Sequence, residues 1–253
     1  MQRRICARAS VATYVTRKFL QSRYPAPKAR LVNHASNVEI RASQMAPCPR
    51  IYATAAREPL LVLVGSLEVG YKGVDTALHA MRLLVDRGWA PQLEIAGSGR
   101  YQGEYERLAS KLGIADRVVF RGMLSREGVR SLLERGSLLV MPSRQEGLPR
   151  AMIEAMAAAL PCVGSNVAGI PELLEPEDIV PPNDPKLLAA KLAEVLGDPA
   201  RLCRMSGRNL EVAREYSKEL LQARWDAWCG ALRDVTAEWL KRDFPLSGVL
   251  ADA

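Results

Sequence analysis

The feature that most constrains this chain is a regular alternation, from Leu60 onward, of short apolar runs with longer amphipathic stretches. Strand-length runs fall at 60–65, 92–96, 118–121, 137–141, 162–164 and 178–180. Stretches of helical character separate or follow them at 74–87, 103–112, 126–135, 149–160, 169–174 and 185–196. Strands joined through helices line up in parallel, with the helices covering both faces. The expected fold class is therefore α/β, a doubly wound parallel Rossmann-like sheet, followed by C-terminal helices. Such sheets bind ligands beyond the carboxyl ends of their strands, where Gly65, Gly97, Gly122 and Ser143 all fall.

The richest of these edges runs from Ser143 to Pro161. The apolar run Ser137-Leu-Leu-Val-Met141 stops at Pro142-Ser143, and a helix is expected from Pro149, whose fixed φ and missing N–H suit a first helical position. Met152, Ile153, Met156, Ala157 and Leu160 make one face apolar, and Pro161 is expected to stop the helix. Glu146 lies in the preceding loop and Glu154 eight positions later, inside the helix. Both carboxylates can thus sit near the positive helix start, where anions and sugar hydroxyls would bind. The competing reading pairs Glu154 with Arg150, one turn earlier, and leaves Glu146 solvated in its loop.

Pro142-Ser143, Glu146-Gly147 and Glu154-Ala155-Met156-Ala157 resemble the signature of the retaining, nucleotide-sugar-dependent glycosyltransferases of the GT-B fold, in glycosyltransferase family four. The likeness extends, in the family's order, to Gly65…Lys72-Gly73, Gly97-Ser98-Gly99, Val118-Val119-Phe120-Arg121-Gly122 and Ala168-Gly169-Ile170-Pro171-Glu172, and covers about residues 11 to 240. It implies transfer of a sugar, with retention, from a UDP- or GDP-linked donor to a sugar or lipid-linked acceptor in surface polysaccharide or glycolipid synthesis. By the same resemblance Lys72 meets the diphosphate and Glu146 the transferred sugar, as the catalytic residues, while Glu154 takes the ribose hydroxyls. Gly65, Ser66, Gly97 and Ser98 would line the diphosphate, Gly122 and Met123 the base, and the amides of Gly147 and Leu148 the phosphate and sugar. The chemistry implied is front-face displacement, with no protein nucleophile, no metal ligand and no cofactor besides the donor.

Two departures stand out. Ser66 occupies a position where many relatives carry an arginine, which leaves Arg100, Arg144 or Arg150 to supply a second cation or the donor more weakly held. Pro149 stands where many have glycine, so one amide donor is absent. Other motifs fail on spacing. Gly65-Ser-Leu-Glu-Val-Gly-Tyr-Lys-Gly73 is not a P-loop, because Tyr71 separates Gly70 from Lys72 and Gly73 replaces the magnesium-binding hydroxyl. Gly97-Ser98-Gly99-Arg100-Tyr101-Gln102-Gly103 misses the dinucleotide fingerprint by one residue and lies on the domain's second strand.

The resemblance divides the chain into a remnant of an N-terminal domain and linker (1–56), a nucleotide-sugar-binding domain (57–216) and a C-terminal crossing helix with tail (217–253). Most of a first domain is missing by that reading, so an idle nucleotide-sugar-binding module and a half-enzyme completed by a second chain remain as alternatives. Residues 1–50 carry ten Lys or Arg against Glu39, +9 of the chain's net +7. These charges are scattered, with only Tyr14, Phe19 and Tyr24 to stack on bases, which argues against nucleic acid. No apolar run approaches the length of a membrane span. A cytoplasmic protein is expected, with at most peripheral contact at the inner face of the membrane. The five widely spaced cysteines read as free thiols. After Ser217, Leu221, Trp225, Trp228, Leu232, Val235 and Trp239 form an apolar stripe; the simpler reading packs it on helices of the preceding domain, whereas the resemblance implies a helix that crosses back to the first domain.

Overall fold

The computed structural model describes residues 1–55 and 58–243. The junction at 56–57, where one expected boundary falls, and the tail from 244 lie outside the described residues. Two compact units are present, one of Val38–Ser217 and one of residues 1–37 together with those from Lys218 onward.

In the smaller unit, α1 (Gln2–Cys6) precedes β1 (Val11–Tyr14), and α2 (Phe19–Arg23) leads to β2 (Leu31–His34). β1 and β2 pair in parallel, from Val11 opposite Leu31 to Tyr14 opposite His34. Tyr14 donates from its hydroxyl to the Tyr24 carbonyl at 2.6 Å, closing the turn after α2.

The larger unit contains β3 (Leu60–Val64), α3 (Val74–Asp86), β4 (Gln92–Ala96), α4 (Gln102–Lys111), β5 (Val118–Gly122), α5 (Arg126–Arg135), β6 (Leu138–Met141), α6 (Arg150–Ala157), β7 (Cys162–Ser165), β8 (Ile179–Val180), α7 (Pro185–Leu196) and α8 (Pro199–Arg214). The six strands make one sheet in the order β5-β4-β3-β6-β7-β8, and every pairing is parallel. The expected doubly wound sheet is therefore present. Because helices cover both faces, the central strands are apolar throughout: all of β6 and β7 is buried. Leu61, Leu63, Leu93, Ile95, Leu138 and Val140 meet Leu78, Met81 and Leu84 of α3 in one core. The stretch expected as a helix at 169–174 is a single 3₁₀ turn, Ile170–Glu172, with Pro171 early in it.

Winding outward from β3 goes one way to β4 and β5 and the other way to β6, β7 and β8. The sheet therefore changes direction between β3 and β6, and in sheets of this kind the crevice for a ligand lies between the loops after those two strands.

Two side chains outside this crevice hold its frame. Arg50 donates to the carbonyls of Leu133 (2.8 Å), Gly136 (2.6 Å) and Ala158 (2.8 and 3.0 Å), so one cation satisfies the negative carboxyl ends of both α5 and α6. Ile40, buried on the same unit, receives its place from a bond of its amide to the Tyr216 carbonyl at 3.0 Å.

The last helix, α9 (Lys218–Asp243), lies in the smaller unit and touches β2. Its stripe is graded: Leu221 is buried, Trp225, Trp228, Leu232 and Val235 are half-buried and Trp239 is exposed. The helix that carries the stripe groups with the N-terminal residues 1–37. Tertiary grouping decided what helical spacing alone could not. All five cysteines are free thiols, as expected. No described helix is long and apolar enough to cross a membrane.

Glu94 on β4 is a deeply placed carboxylate, 4% exposed, and two arginines meet it. Arg121 Nε donates to Oε2 at 2.6 Å, and Arg135 grips both oxygens at 2.6 and 2.5 Å. These cations, Arg121 foremost, hold the Glu94 carboxyl down to about 2 against an ordinary 4.5. A depressed folded value stabilises the fold above the unfolded value and loses that support as pH falls through the folded one. Unfolding free energy should therefore drop between about pH 4.5 and 2 by about 1–3 kcal/mol, a range discounted because both arginines are nearly half exposed. Denaturant titrations across that range should show this slope in the wild type and a flatter one in Glu94→Gln.

Candidate functional site

The loop after β3 runs from Gly65 through a 3₁₀ turn, Gly70–Lys72, to Gly73, whose φ of 67° starts α3 from a left-handed conformation. Lys72 folds its stem back across Gly65: a Cβ there would stand 2.7 Å from Lys72 Cε. The glycine and the lysine are thus one device, since any side chain at 65 would displace the stem. Lys72 Nζ then crosses the crevice to Glu146 Oε1 at 2.6 Å. The buried Ser143 hydroxyl bonds the same oxygen at 2.8 Å. With their side chains only 14% and 8% exposed, Lys72 and Glu146 form a part-buried ion pair across the point where the sheet reverses. Glu146 is not a solvated loop carboxylate.

Beside this pair lies a second clamp. The Arg144 amide donates to the Tyr71 carbonyl at 2.6 Å, and its guanidinium reaches Asp75 Oδ2 at 2.6 Å, the Gly70 carbonyl and Asn183 Oδ1. Arg144 is fully used in tying the loop after β3 to the loop after β6. As a second cation for an anionic ligand it is spent. Arg100 stands 3.9 Å from Glu68, both well exposed, and Arg150 stands 3.8 Å from Glu154. Each of the three arginines expected to replace the charge missing at Ser66 thus has a carboxylate partner. Ser66 itself is exposed, and its hydroxyl accepts from the Glu68 amide at 3.2 Å, closing a turn.

The remaining edge loops approach one another through main-chain bonds. The Gly65 amide donates to the Ala96 carbonyl (2.9 Å), the Leu67 amide to the Ser98 carbonyl (2.9 Å), and the Gly97 amide to the Gly122 carbonyl (2.8 Å). A Cβ on Gly97 would come within 1.9 Å of the Gly65 carbonyl oxygen. A side chain at 65 or 97 would therefore collide with protein, so packing alone requires glycine at both positions. Gly122 differs: at φ 65° its open side meets nothing within 4 Å, and the Met123 side chain beside it is 79% exposed. On the far side the Gly169 amide donates to the Gly147 carbonyl at 2.9 Å, which fixes the Glu146 loop from behind.

Pro149 is the N-cap of α6, not its first residue; its ψ of 114° is extended, and the helix begins at Arg150. The far end also departs from expectation. Ala159, left-handed at φ 53°, lets the Leu160 amide reach the Ala155 carbonyl and its own amide reach that of Met156, both at 2.9 Å. A left-handed turn of this kind ends the helix at Ala157, before Pro161 is reached. Ser125, Asp184 and Asp198 cap α5, α7 and α8 with their side chains. α3 and α6 start from Gly73 and Pro149 without such a cap. Among the described residues the amides of Gly147 and Leu148 donate to no protein group, and the start of α6 beside them carries no side-chain cap.

Glu154 sits one turn into α6, half-buried, and burial pushes its carboxyl up, partly offset by Arg150 and then Arg126. Its long contact with Arg150 leaves acceptor capacity free. Lys72, Glu146, Gly147, Leu148, Gly65, Ser66, Gly97, Ser98 and Met123 lie on loops along the carboxyl edge of the sheet, with Gly122 the last residue of β5 and Glu154 on the helix leaving the edge. Sequence reasoning missed that Ser143 and Arg144 organise these loops: the partners of Arg144 are 69 and 74 positions away, beyond any local signal.

Residues 58–198 match the family described as glycosyl transferases group 1, and the chain belongs to that family. Alpha-D-kanosaminyltransferase of Streptomyces kanamyceticus is 32% identical over 181 residues, 70% of this chain and 46% of that protein. The putative colanic acid biosynthesis glycosyltransferase WcaL of Escherichia coli is 31% identical over 148 residues, 55% of this chain and 36% of that protein. The chain thus spans about half the length, or less, of the curated relatives it matches. Among solved structures, Anabaena Alr3699/HepE in complex with UDP and glucose superposes with a TM-score of 0.75 at 16% identity, over 88% of this chain and 64% of that one. The C-terminal domain of a glycosyl transferase group 1 family protein, LpcC from Francisella tularensis, superposes with a TM-score of 0.60 at 15% identity, over 70% of this chain and 98% of that one. These likenesses establish the fold, one Rossmann-like half of a GT-B architecture.

The crowding at Gly97 and the open side of Gly122 separate two effects of adding a methyl group. Gly122→Ala should cost only the left-handed strain, about 1–2 kcal/mol. Gly97→Ala adds the collision with the Gly65 carbonyl and should cost about 3 kcal/mol or more, by the same mechanism as other overpacked sites. Parallel chemical denaturation of the two variants checks the order.

Proposed function

We propose that this chain holds the donor of a glycosyl transfer, binding a nucleotide-diphosphate sugar at the crevice between the loops after β3 and β6, and that the transfer proceeds with retention. The observation that carries this reading is the Lys72–Glu146 pair beside the uncapped start of α6. A diphosphate needs cationic and N–H donors in a partly dry place, and Lys72 with the free amides of Gly147 and Leu148 supplies them. Lys72 would stabilise the charge that grows on the phosphate as the nucleotide leaves. Glu146, next to it, would accept hydrogen bonds from the hydroxyls of the transferred sugar. Glu154 would take the ribose hydroxyls, and the open side of Gly122 with Met123 leaves room for the base.

The relatives and neighbours support this assignment by what their names state: kanosaminyl transfer for one, colanic acid biosynthesis for another, UDP and glucose in a solved neighbour. We read the acceptor as a sugar or lipid-linked saccharide bound by residues beyond the larger unit, on another domain or a second chain. With Arg144 spent and serine at 66, the diphosphate rests chiefly on Lys72 and on amides, a weaker hold than two free cations would give.

Calorimetric titration with UDP, GDP and their common sugar conjugates tests this directly. Glu154→Ala should weaken nucleotide binding by about tenfold to a hundredfold, the loss of hydrogen bonds to a charged acceptor. A folded variant that binds as tightly as the wild type removes Glu154 from the site. Glu154 accepts two hydroxyls only when ionised, and burial has raised its carboxyl. Affinity should accordingly begin to fall, on acidification, at a higher pH than an ordinary carboxylate would dictate, and Glu154→Gln should lack this component.

A further inference from the structure

Lys72 Nζ donates to Glu146 Oε1, and a diphosphate that takes the lysine competes with that bond. Resting on the donor-site reading above, we propose that Glu146 makes the site discriminate between a nucleotide diphosphate that carries its sugar and the bare nucleotide diphosphate that remains after transfer. Glu146 Oε1 is satisfied by Lys72 Nζ at 2.6 Å and by the Ser143 hydroxyl at 2.8 Å. The carboxylate is 8% exposed, so water cannot replace a lost partner at low cost. Lys72 is also tethered: its stem lies on Gly65, and its loop is pinned to the next through the Arg144 amide on the Tyr71 carbonyl.

A phosphate drawing Nζ toward itself leaves Glu146 with Ser143 alone, and places a second anion near the carboxylate. An unpaired, part-buried charge is strongly unfavourable. Sugar hydroxyls resolve this, because a carboxylate accepts two of them at once, and the intact donor therefore replaces what it removes. A bare diphosphate removes the lysine and returns nothing. The same carboxylate that welcomes the donor thus favours departure of the spent nucleotide, and the ion pair re-forms behind it. Glu146 on this account sets specificity for the sugar-bearing form as well as contacting the sugar.

The test is the sign of the effect on two ligands. Glu146→Gln keeps the shape and removes the charge; UDP and GDP, and UDP-glucose and GDP-mannose, serve as probes in calorimetry on the full chain. The bare nucleotide that binds the wild type should bind Glu146→Gln more tightly, by about tenfold, because no carboxylate holds the lysine or is orphaned. Its sugar conjugate should bind less tightly, so the ratio of the two affinities inverts or collapses. Equal changes for both ligands, or a weaker bare nucleotide, overturn the proposal while leaving the donor site standing. A wild type that binds none of the four probes overturns the donor-site reading and this proposal with it. Thermal unfolding without ligand verifies the fold of the variant, and Glu146→Ala, which should show the same opposed signs, replaces it should Glu146→Gln not fold.

Discussion

Backbone meets backbone at the carboxyl edge of this sheet, and the site depends on that contact. Loops leaving neighbouring parallel strands normally diverge over their covering helices. Here the amide of Gly65 reaches the loop of β4, that of Gly97 reaches the end of β5, and that of Gly169 reaches the Glu146 loop. A methyl group at 97 would overlap a carbonyl oxygen, and one at 169 would stand 2.5 Å from another. The absence of side chains is thus a packing requirement before it is a binding one. It fixes the edge so that a lysine and a glutamate, 74 positions apart, meet at the single place where the sheet reverses.

Ion pairs then set what the fixed edge can do. Arg144 joins the two loops at the reversal and is neutralised by Asp75, so it contributes order without offering charge. Lys72 is neutralised by a carboxylate that itself has hydroxyl-binding capacity, which makes its pairing exchangeable in a way that the Arg144 clamp is not. The distinction follows from denticity: a guanidinium holding three partners is costly to remove, whereas an ammonium on a flexible stem is a point charge that can change partners. Away from the crevice, Arg50 and the Glu94 triad secure helix ends and the sheet's edge.

Much of this was legible in the sequence because parallel strands buried on both faces are written as continuous apolar runs. All six strands of the larger sheet fall where such runs end in glycine, proline or serine. Helix ends were less legible. Pro149 and Pro161 look like the start and stop of α6, yet the start lies one residue later and the stop comes from a left-handed Ala159 that no propensity announces. Least legible were contacts between distant residues. The assignment of Lys72 and Glu146 to one crevice followed from topology and from resemblance, but their direct bond, and the removal of Arg144 from the list of free cations, depend on side-chain geometry across loops. The helix α9 shows the same limit: its apolar period was readable, and the choice between its two expected placements was not.

A structure of this chain determined with a nucleotide sugar bound tests the central claim most directly. The account predicts the diphosphate against Lys72 Nζ and the amides of Gly147 and Leu148, the ribose on Glu154, and Glu146 bonded to sugar hydroxyls with the lysine drawn off it. A nucleotide seated elsewhere on the sheet edge, or a Lys72–Glu146 pair left untouched beside a bound donor, would contradict it.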